Sequence, residues 1–140
     1  MTTVPRHRAS LRGLTLIELM IALALVAILA AVAMPAYTSY ITKARAKDAS
    51  ADLAALALNM ENRYQLQLSY PVNAANTVAS SSNFSGWAPT QSAFFNYTLV
   101  STASSYTLTA TGKAGASGCT LTLDNSNARS ATSACGFSSW

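Results

Sequence analysis

Between positions 14 and 34 the chain carries only two polar side chains, Thr15 and Glu18, in an otherwise unbroken apolar run. About 20 apolar residues in helical geometry cross the hydrocarbon core of a bilayer, so this run is long enough to span one. A short basic leader with Arg6, His7, Arg8 and Arg12 precedes it. Charged groups in such segments cost free energy on insertion and are usually functional. Glu18 therefore constrains the reading more than any other residue.

Three readings fit the segment. A secretory signal peptide would be cut after Ala31-Val32-Ala33 and release a domain starting at Met34. The run, however, exceeds the usual h-region of about 7 to 15 residues and contains a carboxylate. A plain membrane anchor would use Thr15 and Glu18 as a capping box, each side chain satisfying a free N–H of the first helical turn. The helix dipole favours an anion at that end as well. In the third reading Gly13 ends a leader that a peptidase removes, and Leu14 becomes a new N-terminus.

The residues of this third reading closely resemble the type IV prepilin signal. They are Gly13, Leu14, Thr15, Leu16, Ile17, Glu18, Leu19 and Met20, with Pro35, Tyr37 and Tyr40 beyond. That family has a short basic leader, glycine at the scissile bond, a hydrophobic first mature residue, and glutamate four residues later. Leu14 stands where the family usually has phenylalanine. The resemblance implies cleavage between Gly13 and Leu14 by a prepilin peptidase, N-methylation of Leu14, and polymerisation through the helix. It also implies that Glu18 pairs with the N-terminal amine of a neighbouring subunit. Attraction across a few ångströms of low dielectric is strong enough to select the axial register. Pro35 lacks an N–H and clashes with the preceding turn, which predicts a kink, a local opening, or a boundary between membrane and exterior segments.

With 140 residues, the chain has room for one small domain beyond the apolar segment. The reading is a leader at 1–13, a transmembrane and assembly helix at 14–36, and an exterior domain at 37–140. The helical pattern continues to about Gln67, and Ala49, Leu53, Leu56, Met60 and Tyr64 form a stripe that predicts packing against that domain. Lys43, Arg45, Lys47, Asp48 and Asp52 then mark a solvated juxtamembrane portion, whose basic trio could also touch anionic lipid. A loop is expected over 69–93, pinned by Phe84 and Trp87. Three alternating segments follow, carrying Phe95, Tyr97 and Leu99; Tyr106, Leu108 and Ala110; and Cys119, Leu121 and Leu123. Period two predicts half-buried antiparallel strands, with turns at 101–105 and 112–118.

Cys119 and Cys135 are the only cysteines. An even pair in a small domain behind a membrane segment favours a disulfide in an oxidising compartment, with two free thiols as the alternative. Closing that loop stabilises by roughly 3 kcal/mol in the chain-entropy model. The fold class is α+β, a long helix against a small antiparallel sheet with a C-terminal disulfide loop at 119–135, and it resembles the type IV pilin fold. Cys119-Thr-Leu-Thr-Leu-Asp-Asn leading to Cys135, with a terminal Trp140, is similar to the end of PilE-type minor pilins. Phe137 and Trp140 are expected to pack on the sheet.

The formal net charge is +4, but Arg6, Arg8 and Arg12 lie in the leader and the mature chain is nearly neutral. That disfavours nucleic acid as a partner. Basic residues flank the apolar run equally on both sides, so the positive-inside rule leaves the orientation tied. A disulfide breaks the tie by placing 37–140 outside the cytoplasm. The single histidine, His7, is in the leader, and no acid-base cluster, metal-ligand spacing or phosphate loop follows. No enzyme activity, metal or cofactor is expected.

The resemblance thus implies a structural subunit of a type IV pilus, specifically a minor pilin. It would be held in the inner membrane with a periplasmic domain, then moved to an extracellular fibre. Its partners would be other pilins, the prepilin peptidase and N-methyltransferase, and the assembly platform. Alternatives are a type II secretion pseudopilin, or an adhesin or DNA-uptake subunit displayed on the fibre.

Overall fold

The computed structural model describes residues 15–140, so Gly13, Leu14 and the leader lie outside the described residues. The chain divides into two compact units, Met1–Ala36 and Tyr37–Trp140. One helix, α1 (Leu16–Gln67), contributes to both.

Within the first unit α1 is long and apolar enough to cross a membrane, and its most hydropathic window has no buried residue. Its large side chains, from Leu16 to Met34, are all more than half exposed. A surface this apolar is stable only in lipid or against other apolar surface.

The second unit joins the rest of α1 to a five-stranded antiparallel sheet in the order β1-β2-β3-β4-β5. The strands are β1 (Asn73–Val78), β2 (Phe95–Ser101), β3 (Tyr106–Gly112), β4 (Thr120–Asp124) and β5 (Arg129–Ala131). Register aligns Leu99, Leu108 and Leu123 across the central strands, and Tyr97, Ala110 and Leu121 beside them. Alternation puts these residues on one face. Their core also contains Ala46, Ala49, Leu53, Leu56 and Met60 of α1, each with no exposed surface. This is the architecture that the resemblance implied.

Three expectations need correcting. The 69–93 stretch is not one loop, because it contains β1. That strand reads Asn-Ala-Ala-Asn-Thr-Val and lacks apolar alternation. Pairing with β2 makes it a strand, and its register shifts between Asn73 and Thr77. The disulfide loop likewise contains the short strand β5, whose Arg-Ser-Ala sequence carries no strand signal of its own. Asp52 is not solvated but only 6% exposed. Along the stripe, Tyr64 is the margin: it is exposed, with its ring 4.6 Å from that of Tyr70. Phe84 and Trp87 are buried, as expected.

Candidate functional site

Thr15 precedes the first turn of α1, and its Oγ1 accepts the Glu18 N–H at 3.3 Å. This is one arm of the capping box, and it leaves Glu18 exposed in the first helical turn. Pro35 lies inside α1, whose bounds run through it. Having no N–H, it cannot donate to the Ala31 carbonyl one turn earlier.

In the second unit, side chains from one flank of α1 hold segment 83–94 at successive points. Arg63 donates to the Asn83 carbonyl and lies 4.9 Å from the Phe84 ring centre. Asn59 donates to the Ser85 carbonyl at 3.1 Å. The Asp52 carboxylate accepts from the Thr90 N–H at 3.0 Å, the Gln91 N–H at 3.0 Å and the Tyr97 hydroxyl at 2.6 Å. The Trp87 indole N–H reaches the Asp52 carbonyl at 2.9 Å. Burial and then the Asp52 carboxylate push the Tyr97 phenol up. Gln91 donates to Asp48, and Arg45 stacks 3.6 Å from the Phe94 ring centre. The sequence carried a signal for Asp52: position 52 is three residues after Ala49 and four before Leu56, on the apolar stripe itself.

Arg45 also donates to the Gly115 carbonyl at 3.2 Å. Gly115 has φ +82, and a Cβ there would stand 2.6 Å from the guanidinium. The left-handed backbone at this turn favours glycine, and any side chain there would also displace the Arg45 guanidinium. Thus the basic trio divides. Arg45 joins the domain, whereas Lys43 and Lys47 stay exposed.

Near its end the helix presents Glu61, which accepts from the Tyr70 and Tyr106 hydroxyls at 2.9 and 3.0 Å. Tyr70 is pushed up to about 12 by burial and by the Glu61 carboxylate. The same causes raise Tyr106.

Cys119 and Cys135 form a disulfide and are fully buried. The loop it closes contains β4 and β5. Their turn is held by Asp124, whose Oδ1 accepts from the Ser126 N–H, the Ser126 hydroxyl and the Ala128 N–H. These bonds, the Ser126 hydroxyl first, hold its carboxyl below the ordinary range. Arg129 donates twice to the Asn127 side chain and lies 4.8 Å from the Trp140 ring centre, while the Trp140 indole donates to the Ser130 carbonyl. Phe137 and Trp140 pack against the core, as expected. An open groove of about 370 Å³ lies between this turn and α1, bordered by Ala54, Leu58, Asn125, Asn127 and Arg129. Among the described residues no group of side chains could hold a metal ion.

Comparison with known proteins shows similarity in two adjoining stretches. Residues 8–34 match the prokaryotic N-terminal methylation motif. Residues 35–136 match the family described as type IV minor pilin ComP, DNA uptake sequence receptor. Similar relatives include the type IV major alpha-pilin of Moraxella bovis, 54% identical over 44 residues, and fimbrial protein Q of the same organism, 52% identical over 44 residues. In both cases the match covers 31% of this chain and 28% of the relative. A fimbrial protein of Moraxella nonliquefaciens is 55% identical over 38 residues, covering 27% of this chain and 25% of its own length. The curated matches thus span under a third of either partner. The second family model covers most of the chain, including every strand, so the chain belongs to the ComP family of type IV minor pilins.

Proposed function

We propose that this chain is a structural, non-enzymatic subunit of a type IV pilus. A prepilin peptidase cuts between Gly13 and Leu14 and methylates Leu14. The 14–36 segment then anchors the subunit in the inner membrane with 37–140 in the periplasm, and later becomes its assembly surface in the extracellular fibre. Glu18 meets the amine of a neighbouring subunit, and Pro35 gives α1 a turn with one hydrogen bond fewer. The observation that carries the reading is the adjacency of the methylation motif, 8–34, to the minor-pilin domain, 35–136. The exposed apolar surface of α1 between Leu16 and Met34 supports it, because such a surface must be covered by lipid or by other subunits.

Mass spectrometry of the mature N-terminus tests the processing step. Methylated Leu14 is the expected result; Met34, or an intact leader in a strain with the peptidase, would refute it. Immunogold labelling of sheared fibres separates a pilus from a pseudopilus. Glu18→Ala should enter the membrane and lose its leader yet fail to join fibres. Normal incorporation would remove the register role.

A second reading, a DNA-uptake subunit displayed on the fibre, is favoured by the description of the matched family as a DNA uptake sequence receptor. Phosphate contacts through Lys and Arg would make such binding steeply salt-dependent. Duplex retention that does not weaken with added salt, or no retention at all, would remove this reading.

A further inference from the structure

Lys43 and Lys47 are four residues apart on one face of α1, and their side chains have no ion-pair partner among the described residues. With Tyr40 and Ala44 they line an open concavity of about 310 Å³. Nearby charges are engaged elsewhere: Arg45 on Phe94 and Gly115, and Asp48 on Gln91. The Lys43 stem lies against Gly136, where a Cβ would come within 3.2 Å of it. This contact limits the freedom the lysine loses on binding.

Counted from Glu18, a membrane-spanning length of about 20 residues ends near Tyr37. Tyr40, Lys43 and Lys47 follow directly in the same helix. Tyr37 and Tyr40 are 66% and 69% exposed. Tyrosine rings favour the depth of lipid headgroups, and lysine stems extend along apolar surface while the ammonium reaches a polar layer. Two unpaired cations beside exposed rings therefore match an anionic headgroup better than a base-paired duplex, which offers no unstacked base to the rings. We infer that Tyr40, Lys43 and Lys47 form a docking surface for the phosphate of an anionic phospholipid at the membrane face where the apolar segment ends. The surface fixes the depth of the waiting subunit and is vacated when the subunit enters a fibre. This inference rests on the membrane-anchored precursor proposed above.

The test uses the full chain in nanodiscs of mixed phosphatidylcholine and phosphatidylglycerol, with native mass spectrometry counting the lipid that stays bound after release. The wild type should retain phosphatidylglycerol preferentially. Lys43→Gln with Lys47→Gln should lower that preference about tenfold or more, the scale expected for two charges at an anionic surface. Arg129→Gln should leave it unchanged. Equal retention of the two lipids by the wild type, or an unchanged preference in the double variant, overturns the inference. So does a double variant that keeps its lipid preference but loses retention of duplex DNA in a gel, which assigns the surface to nucleic acid. If the wild-type chain is not recovered with the discs at all, the anchored precursor fails, and the docking surface with it.

Discussion

The two flanks of α1 in the exterior domain are built differently. On one, Arg63, Asn59, Asp52, Asp48 and Arg45 each reach segment 83–94. On the other, Leu58 and Ala54 border an open groove opposite the β4–β5 turn. The covalent link, Cys119–Cys135, closes the loop that contains this β4–β5 turn. Irregular backbone thus receives a different restraint on each flank: a buried carboxylate with surrounding donors on one, and a disulfide on the other.

The largest test of this contrast is Asp52→Ala. Removing the carboxylate leaves the Thr90 and Gln91 N–H groups and the Tyr97 hydroxyl without their partner. The expected loss is about 3–5 kcal/mol in denaturant unfolding, since a hydrogen bond to a charged group contributes about 1.5–3 kcal/mol and the Tyr97 hydroxyl would be left buried without its partner. Faster amide exchange should be concentrated in 83–94. Exchange that rises equally around 125–140 would mean that the flanks are not independent.

Replacing Cys119 and Cys135 together by serine should cost slightly less, about 3 kcal/mol in the chain-entropy account. Here the faster exchange should fall on β5 and the C-terminal residues, with 83–94 protected. The opposite pattern would reverse the assignment of restraints.

A smaller effect is expected from alkali. Tyr70 has a raised folded-state pKa of about 12, against about 10 when unfolded, so folding favours its protonated form. Its contribution is fully present below about pH 10 and is lost as pH rises through about 12. Tyr70→Phe should flatten the fall in unfolding midpoint over that window; an unchanged pH profile would show that Tyr70 is not responsible. The smallest effect should come from Arg129→Ala on the open flank. Its exposed contacts predict a stability change within about 0.5 kcal/mol, readable in the same denaturant titration.

The legible parts of this molecule were those with a periodic or compositional signal. The apolar run is helical as its composition says, and the Ala49-to-Met60 stripe and the alternation in β2, β3 and β4 bury what their periods say they should. β1 and β5 were not legible, because edge strands of Asn, Ala, Ser and Arg are set by their neighbours rather than by their own side chains. Charge also misled where it was read without phase. Asp48 and Asp52 look alike in sequence, yet the stripe carries Asp52 inward and leaves Asp48 exposed. Nor does composition separate Arg45 from Lys43 and Lys47, because what draws Arg45 away is the Phe94 ring brought alongside by the fold.

The order of the bonds from α1 to segment 83–94 has a kinetic consequence. Partners on the helix run backward as those on the segment run forward, so sequence separations grow from 20 at Arg63–Asn83 to 26 at Asn59–Ser85, 35 at Asp52–Trp87 and 43 at Asp48–Gln91. Closing a loop costs entropy that rises with its length, so the first contact favoured is Arg63–Asn83, and each later one extends a loop already closed. Loop-closure entropy alone therefore ranks the contacts of segment 83–94 down the helix from its C-terminal end, with Arg45–Phe94 closing the longest loop.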